Sequence, residues 1–191
     1  MRKLLFLFAT ITLLISCNKD DDKSTNPIDQ LPPATQTGAN TAGCLVDGKA
    51  FLPKGTGLGG PVLSCFYYQS QTGYRFGLSI NYKTFDFIKS IQFSTNTIQL
   101  IENKTYNLTA ESKDINNNYY ISNFGEYYIL TNTGAGDVNY STTNVATGEL
   151  KITKLDMQRF IISGTFWYDA VNANNEKVQV REGRFDVHYS N

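Results

Sequence analysis

The stretch Tyr74-Arg75-Phe76-Gly77-Leu78-Ser79-Ile80-Asn81-Tyr82 determines the fold class. Its large apolar side chains recur at every second position from Phe76 to Tyr82, and small or polar residues lie between them. Successive residues of a β-strand point to opposite faces of the sheet, so a period of two predicts a half-buried strand. The stretch therefore indicates a sheet that packs one face on a core.

The same alternation recurs towards the C-terminus, in Gly148–Leu155, Phe160–Ala170 and Glu176–Tyr189. In the last of these the apolar positions change parity at Gly183, which predicts a β-bulge there. Five further stretches are candidate strands: 44–51, 62–69, 87–95, 98–108 and 119–131. No stretch keeps an apolar period of 3.6 residues long enough for a helix. About ten short strands at this spacing predict an all-β fold, either a single antiparallel β-sandwich or a partly open β-barrel.

At the N-terminus, an apolar run ends at the tetrad Leu14-Ile15-Ser16-Cys17. Arg2 and Lys3 precede the run, and its 12 residues, Leu4–Ile15, are fewer than the roughly 20 that span a bilayer. The tetrad resembles the lipobox of bacterial lipoproteins. Residues 1–16 are therefore predicted to be a lipoprotein signal peptide, and Cys17 the lipidated first residue of the mature chain. The alternative is an ordinary secretory signal peptide.

A polar segment follows the predicted anchor. Lys19 stands directly before three aspartates, Asp20–Asp22, a pattern that resembles the export signal of surface lipoproteins. The alternative is a solvated charge run on a periplasmic tether. Residues 17–41 hold three of the chain's five prolines and few apolar side chains. This composition predicts a disordered tether after the lipidated cysteine, with the protein on the outer membrane facing the cell exterior.

Residues 42–191 are about 150 residues, enough for one domain with its own core. Removal of the signal peptide leaves 15 lysines and arginines against 17 acidic residues, a net charge of about −2. There is no basic stripe. The sequence therefore predicts that nucleic acid is not a partner, because neutralising its phosphates requires clustered Lys and Arg.

Two pairs of segments carry a resemblance. The first pair is residues 31–41, LPPATQTGANT, and residues 43–51, GCLVDGKAF; the second is residues 162–166, ISGTF, and residues 182–185, EGRF. They are similar to the opening and the closing hairpin of an uncharacterised family of small Bacteroidota lipoproteins, a domain of unknown function. The resemblance covers about residues 31–191. It implies an envelope location and an all-β domain, and no catalytic residues.

With Cys17 lipidated, Cys44 and Cys65 form an even pair in an oxidising setting. A disulfide between them would close a loop of about 22 residues and stabilise the fold by roughly 3 kcal/mol in the chain-entropy model. A bridge is therefore predicted. The alternative is two separate buried thiols that pack as small apolar side chains.

Catalytic and metal-binding patterns are few. His188 is the only histidine, so a histidine-based zinc site lacks partners, and a triad would pair His188 with Asp186 without a nucleophile elbow. The loop Gly55–Gly60 lacks the lysine of a phosphate-binding loop, and Pro61 follows it. We therefore predict a non-enzyme without a metal or a cofactor.

One polar stretch partly matches a calcium loop. Asp114, Asn116 and Asn118 occupy its positions 1, 3 and 5, but Tyr119 and Gly125 stand where the pattern needs Gly and Glu. A polar turn is the better interpretation.

Paired aromatic residues are the strongest functional lead. Neighbours on a strand face opposite sides, so one ring of each pair should point outward, where it can stack on a sugar or contact a protein. The alternative is that aromatic residues simply favour strands. The sequence thus predicts a surface-anchored binding module, with a glycan-acting hydrolase that uses a carboxylate pair, or a purely structural envelope lipoprotein, as alternatives. The candidate ligand-binding residues are Tyr67, Tyr68, Tyr119, Tyr120, Tyr127, Tyr128, Trp167 and Tyr168.

Overall fold

The structure, a computed structural model, describes residues 26–55, 60–116 and 120–191. The predicted signal peptide, lipidated Cys17 and acidic export signal lie outside these residues. A short 3-10 helix at Pro27–Gln30 precedes the strands. The strands are β1 (Thr41–Val46), β2 (Lys49–Phe51), β3 (Leu63–Ser70), β4 (Gly73–Lys83), β5 (Phe87–Asn96), β6 (Thr105–Leu108), β7 (Phe124–Thr131), β8 (Val138–Ser141), β9 (Gly148–Asp156), β10 (Ile161–Val171) and β11 (Lys177–His188).

These strands form one antiparallel sheet in the order β2-β1-β11-β10-β8-β7-β5-β4-β3, with β9 beside β10 and β6 beside β9. The sheet curls into a half-barrel. Ser190, just after β11, donates its N–H to the carbonyl of Cys65 on β3 at 3.0 Å. Lys54, just after β2, donates to the carbonyl of Asn81 on β4 at 3.0 Å. These bonds bring distant parts of the strand order together, and the predicted all-β fold is confirmed.

Four phenylalanine rings meet at the centre of the core. Phe76 lies on β4, Phe93 on β5, Phe166 on β10 and Phe185 on β11, and none is more than 3% exposed. Their ring centroids are 4.5 to 6.4 Å apart in the five pairs that are in contact. Because β4 and β5 are far from β10 and β11 in the strand order, this cluster holds two walls of the half-barrel together.

Two glycines make room for these rings. A Cβ atom on Gly164 would lie 2.7 Å from the Phe185 ring, and one on Gly183 would lie 2.6 Å from the Phe166 ring. In the β10–β11 ladder, Gly164 pairs with Phe185 and Gly183 pairs with Phe166, so each glycine lies opposite the residue whose ring packs against it. A side chain at either position would displace the central cluster.

The bulge predicted at Gly183 is confirmed. Between the paired positions Gly183 and Val180, strand β11 carries two residues, Arg181 and Glu182, where β10 carries only Trp167. Glu182 has a positive φ of 54°. The bulge therefore places two charged residues opposite one tryptophan.

Some predicted strands differ from the observed ones. The stretch 44–51 contains a two-residue hairpin turn, in which Asp47 has φ of 48° and Gly48 φ of 75°, and it is split between β1 and β2. Of the stretch 98–108, only Thr105–Leu108 forms a strand, β6. Thr97 and Asn103, which lie in the loop between β5 and β6, both have positive φ and therefore interrupt the extended backbone. In the described part of the stretch 119–131, Tyr120 forms an isolated bridge with Lys113, and the strand β7 begins at Phe124.

Residues 31–40, which the sequence assigns to the tether, lie on the barrel and are called the strap below. Leu31 is buried. Asp186 on β11, only 1% exposed, is the anchor of the strap. Its carboxylate accepts hydrogen bonds of 2.6 to 3.1 Å from Thr35 Oγ1, Thr37 N, Gly38 N, Ala39 N and, on β10, Ser163 Oγ. The packed unit therefore begins before Ala42.

These contacts favour the ionised form of Asp186. Burial raises the pKa of the carboxyl, but the hydrogen bonds from Thr35, Thr37, Ser163 and Ala39 outweigh it and hold the pKa well below its usual range. The buried charge is thus compensated by donors that come mainly from the strap.

The predicted Cys44–Cys65 disulfide is wrong for this structure. Both cysteines are free and buried. Cys44 on β1 pairs with Phe51 on β2, whereas Cys65 on β3 pairs with Leu78 on β4. Burial raises the pKa of both thiols well above their ordinary value, which leaves them protonated and unreactive. They pack as small apolar side chains.

Candidate functional site

A groove of about 600 Å³ opens on the outer face of β6, β9, β10 and β11. It is called the Trp167 groove here and is defined by Thr105, Glu149, Lys151, Trp167, Arg181 and Glu182. Ala34 of the strap lies at its wall. The two residues of the β11 bulge, Arg181 and Glu182, lie opposite Trp167, and both line the groove.

Trp167 is held in place at the centre of this groove. Its indole Nε1–H donates to Glu149 Oε2 at 3.3 Å, across the β9–β10 ladder. The guanidinium carbon of Arg181 lies 5.3 Å from the indole centroid, within cation–π range. The ring is still 37% exposed. It is therefore an aromatic surface whose orientation is fixed before any ligand arrives.

Arg181 is itself fixed. Its Nη1 donates to the carbonyl of Tyr168 at 3.0 Å, and its Nη2 forms an ion pair with Asp169. Asp169 also pairs with Lys177 Nζ at 2.8 Å. Burial raises the pKa of Asp169, but the hydrogen bonds from Lys177 and Arg181 outweigh it and lower the pKa. Ionised Asp169 thus holds the guanidinium against the indole.

The aromatic pairs divide between the two faces of the sheet, as their adjacency predicts. Tyr67 is 2% exposed and Tyr68 is 38% exposed; Tyr168 is 0% exposed beside the 37% of Trp167. In the third pair Tyr127 is buried and Tyr128 half-buried. In the fourth, Tyr119 lies outside the described residues and Tyr120 is half-buried.

The inward rings belong to the core. Tyr67 Oη accepts the N–H of Leu100 at 3.0 Å, and Tyr168 Oη donates to the carbonyl of Glu126 at 2.5 Å. Burial raises the pKa of Tyr127 to about 12. These three rings have no access to a ligand on the outer surface.

The outward rings do not form one cluster. Tyr68 lies on β3, Tyr128 on β7 and Trp167 on β10, and within the described residues no ring contact joins any two of them. Tyr68 contacts Phe66, with centroids 5.7 Å apart. Tyr120 contacts Phe124 at 5.1 Å and lies beneath Lys113 Nζ at 4.8 Å. Of these outward rings, Trp167 and Tyr128 line concavities of the surface.

A second hollow, of about 390 Å³, contains Tyr128 on the outer face of β5, β7 and β8. It is called the Tyr128 hollow and also includes Gln92, Glu126, Leu130 and Asn139. Glu126 accepts hydrogen bonds from Gln92 Nε2 at 2.6 Å and Asn139 Nδ2 at 3.2 Å. An aromatic ring and fixed amide groups therefore line the same hollow.

The other sequence motifs have structural explanations where the structure describes them. His188 is exposed, and its Nδ1 lies 3.3 Å from Asn40 Oδ1, while Asp186 binds the strap rather than the imidazole. Asp114 accepts the N–H of Asn116 at 3.3 Å in a polar turn. Asn118 and residues 56–59 of the glycine-rich loop lie outside the described residues.

The described residues provide neither a cluster of metal ligands nor a helix that could cross a membrane. No three His, Cys, Asp or Glu side chains in residues 26–55, 60–116 and 120–191 are grouped so as to hold a metal ion. Within the same ranges, no helix has the length and apolar character that a membrane span requires.

Sequence reasoning identified Trp167 but missed the residues that make it a site. Glu149, Lys151 and Arg181 look like ordinary polar positions of alternating strands. The change of apolar parity at Gly183 is the sequence signal that points to the groove. It predicts a bulge in β11, and at this bulge Arg181 and Glu182 both lie opposite Trp167.

No protein-family model matches this chain, and searches of curated proteins and of solved structures found no match either.

Proposed function

We propose that this protein is a lipid-anchored surface protein whose half-barrel binds a glycan in the Trp167 groove without catalysing a reaction. The observation that carries the proposal is the fixed, partly exposed indole of Trp167, set among charged and hydroxyl side chains. The ligand class follows from this combination of an aromatic ring and polar groups.

A pyranose ring has an apolar C–H face and a rim of hydroxyls. The indole offers a flat surface for the apolar face. Glu149, Lys151 and Thr105 provide acceptors and donors for the hydroxyls. Because Arg181 and Glu149 already fix the indole, binding costs little side-chain entropy. A protein partner is the alternative occupant, but a groove with one ring and mixed charges fits a small polar ligand better.

Substituting Trp167→Ala should weaken glycan binding by at least about tenfold, which corresponds to about 1.4 kcal/mol. The measurement is a glycan array probed with the chain from Asn26 onward. Tyr68→Ala is the matched control, since Tyr68 is 38% exposed against 37% for Trp167 but lies outside the groove. Equal loss in both variants, or no loss in Trp167→Ala, would contradict the proposal.

A second candidate function is hydrolysis of a glycan by a carboxylate pair. The observation in its favour is that Glu149 and Glu182 line the same groove. Both carboxylates have partners, however: Glu149 accepts from Trp167, and Glu182 accepts from Arg184 Nη2 at 3.4 Å. Release of reducing ends from array glycans, abolished by Glu149→Gln, would favour the hydrolase over the binding module.

The anchor is a separate part of the proposal and rests on the lipobox ending at Cys17 and the acidic run Asp20–Asp22. Substituting Cys17→Ser should abolish metabolic labelling with palmitate and release the protein from membranes, because the thiol is the acylated group. Protease added to intact cells should remove the domain. Persistent labelling of the variant contradicts the anchor, and digestion only after the outer membrane is opened contradicts the surface location.

A further inference from the structure

We propose that the Tyr128 hollow is a second subsite for the same glycan, so that the ligand is a linear chain spanning both sites. This inference rests on the proposed function of the Trp167 groove. Its basis is the placement of two concavities, each with one outward aromatic ring, on the outer face of one sheet, in which β8 lies between β7 and β10.

The strand pairing connects the two sites. β8 lies between β7 and β10, with Ser141 opposite both Glu126 and Val171. Both pairings are antiparallel, so β7 and β10 run in the same direction. Tyr128 is two residues beyond Glu126, and Trp167 is four residues before Val171. The two rings are therefore six residues apart along the strands and two strands apart across them.

This offset gives the size of the ligand. Six residues correspond to about 20 Å along the strands, and two strand spacings to about 10 Å across them. A ligand that occupies both sites must therefore span about 20 Å, which requires an oligosaccharide of several sugar units. A disaccharide reaches one site only.

The chemistry of the Tyr128 hollow suits a sugar. Tyr128 and Leu130 provide an apolar surface, and Gln92, Glu126 and Asn139 provide amide and carboxylate groups. The hydrogen bonds to Glu126 fix both amides. Ser141, on the strand between the two sites, has its hydroxyl 3.4 Å from Glu126 Oε1. A chain that crosses β8 therefore meets at least one hydrogen-bonding group between the two rings.

The experiment measures how affinity depends on ligand length. The probes are oligosaccharides of two, four and six units prepared from the array polysaccharide that the wild-type protein binds. We expect the six-unit probe to bind at least about tenfold more tightly than the two-unit probe, because the second contact is intramolecular. Tyr128→Ala should remove this gain, so that the six-unit probe binds the variant no more tightly than the two-unit probe does. Asn139→Ala, at an exposed position, should reduce the same gain and guards against misfolding of the first variant.

The possible failures are distinguishable. If Trp167→Ala weakens all probes while both hollow variants keep the full length gain, the second subsite is wrong and the proposed function stands. If no probe binds the wild-type protein, or Trp167→Ala binds as tightly as wild type, the proposed function itself is wrong. If both hollow variants weaken the two-unit probe as much as the six-unit probe, the hollow is not a separate subsite.

Discussion

A chain that begins at Ala42 should be less stable than one that begins at Asn26 by about 4 kcal/mol of unfolding free energy. The shorter chain lacks the strap and thus loses the donors of Thr35, Thr37, Gly38 and Ala39 to Asp186. Removing the partners of a buried charge typically costs about 3–5 kcal/mol, because the charge is left uncompensated. Urea denaturation of both chains measures the difference.

The variant Asp186→Asn tests how much of this stability depends on the negative charge of the carboxylate, because it removes the charge and keeps the strap. Because the hydrogen bonds hold the folded-state pKa below the unfolded value of about 3.9, the charge stabilises the fold above that pH. This contribution is lost as the pH falls towards the folded-state pKa. Wild type should therefore exceed the variant in stability at pH 7, and the difference should shrink below about pH 4. If the chain from Ala42 is as stable at pH 7 as the chain from Asn26, Asp186 does not anchor the strap. Equal stability of Asp186→Asn and wild type at pH 7 would lead to the same conclusion.

Phe93→Ala should also destabilise the protein by about 4 kcal/mol, which is in the range for a buried phenylalanine. Phe93 is 1% exposed and contacts Phe76, Phe166 and Phe185, with the closest centroid at 4.5 Å. Its loss leaves a cavity between the two walls of the half-barrel. Thermal and urea unfolding measure the cost.

Phe85→Ala is the matched control for this substitution. It removes the same ring at a position that is 90% exposed, in the turn between β4 and β5. Its effect should stay within about 0.5 kcal/mol. A cost for Phe93→Ala no larger than that of Phe85→Ala would mean that the central cluster does not hold the walls together.

The fold class could be predicted from the sequence because its signal is local. The alternation in Tyr74–Tyr82 and the parity change at Gly183 both record which face of a strand meets the core. The turn Asp47-Gly48 is also a local signal and a recognised hairpin pattern, although the predicted strand 44–51 runs through it.

The site could be predicted only in part, because its geometry depends on pairings between distant residues. Adjacency indicates that one of Trp167 and Tyr168 points outward, but the pairing of β10 with β9 and β11 decides which. The same limit applies to the strap. Its prolines suggest a tether, whereas its attachment depends on Asp186, about 150 residues later in the chain.

The cysteines show a similar limit. Two cysteines in an oxidising compartment favour a disulfide, because disulfides form and persist mainly in such compartments. Cys44 and Cys65 are instead free, buried thiols on β1 and β3, and whether two strands bring their cysteines together depends on the pairing of the whole sheet.

The most direct test of glycan binding at the Trp167 groove uses the chain's only tryptophan as the reporter. Excitation of the indole alone reports on this one ring, which is 37% exposed in the structure without ligand. Titration with a glycan that binds on the array should shift or quench the tryptophan emission along a saturable curve, because stacking removes water from the indole. The fluorescence midpoint should agree with the calorimetric affinity. Calorimetric binding without any change in tryptophan emission would place the ligand elsewhere and contradict the assignment of the groove.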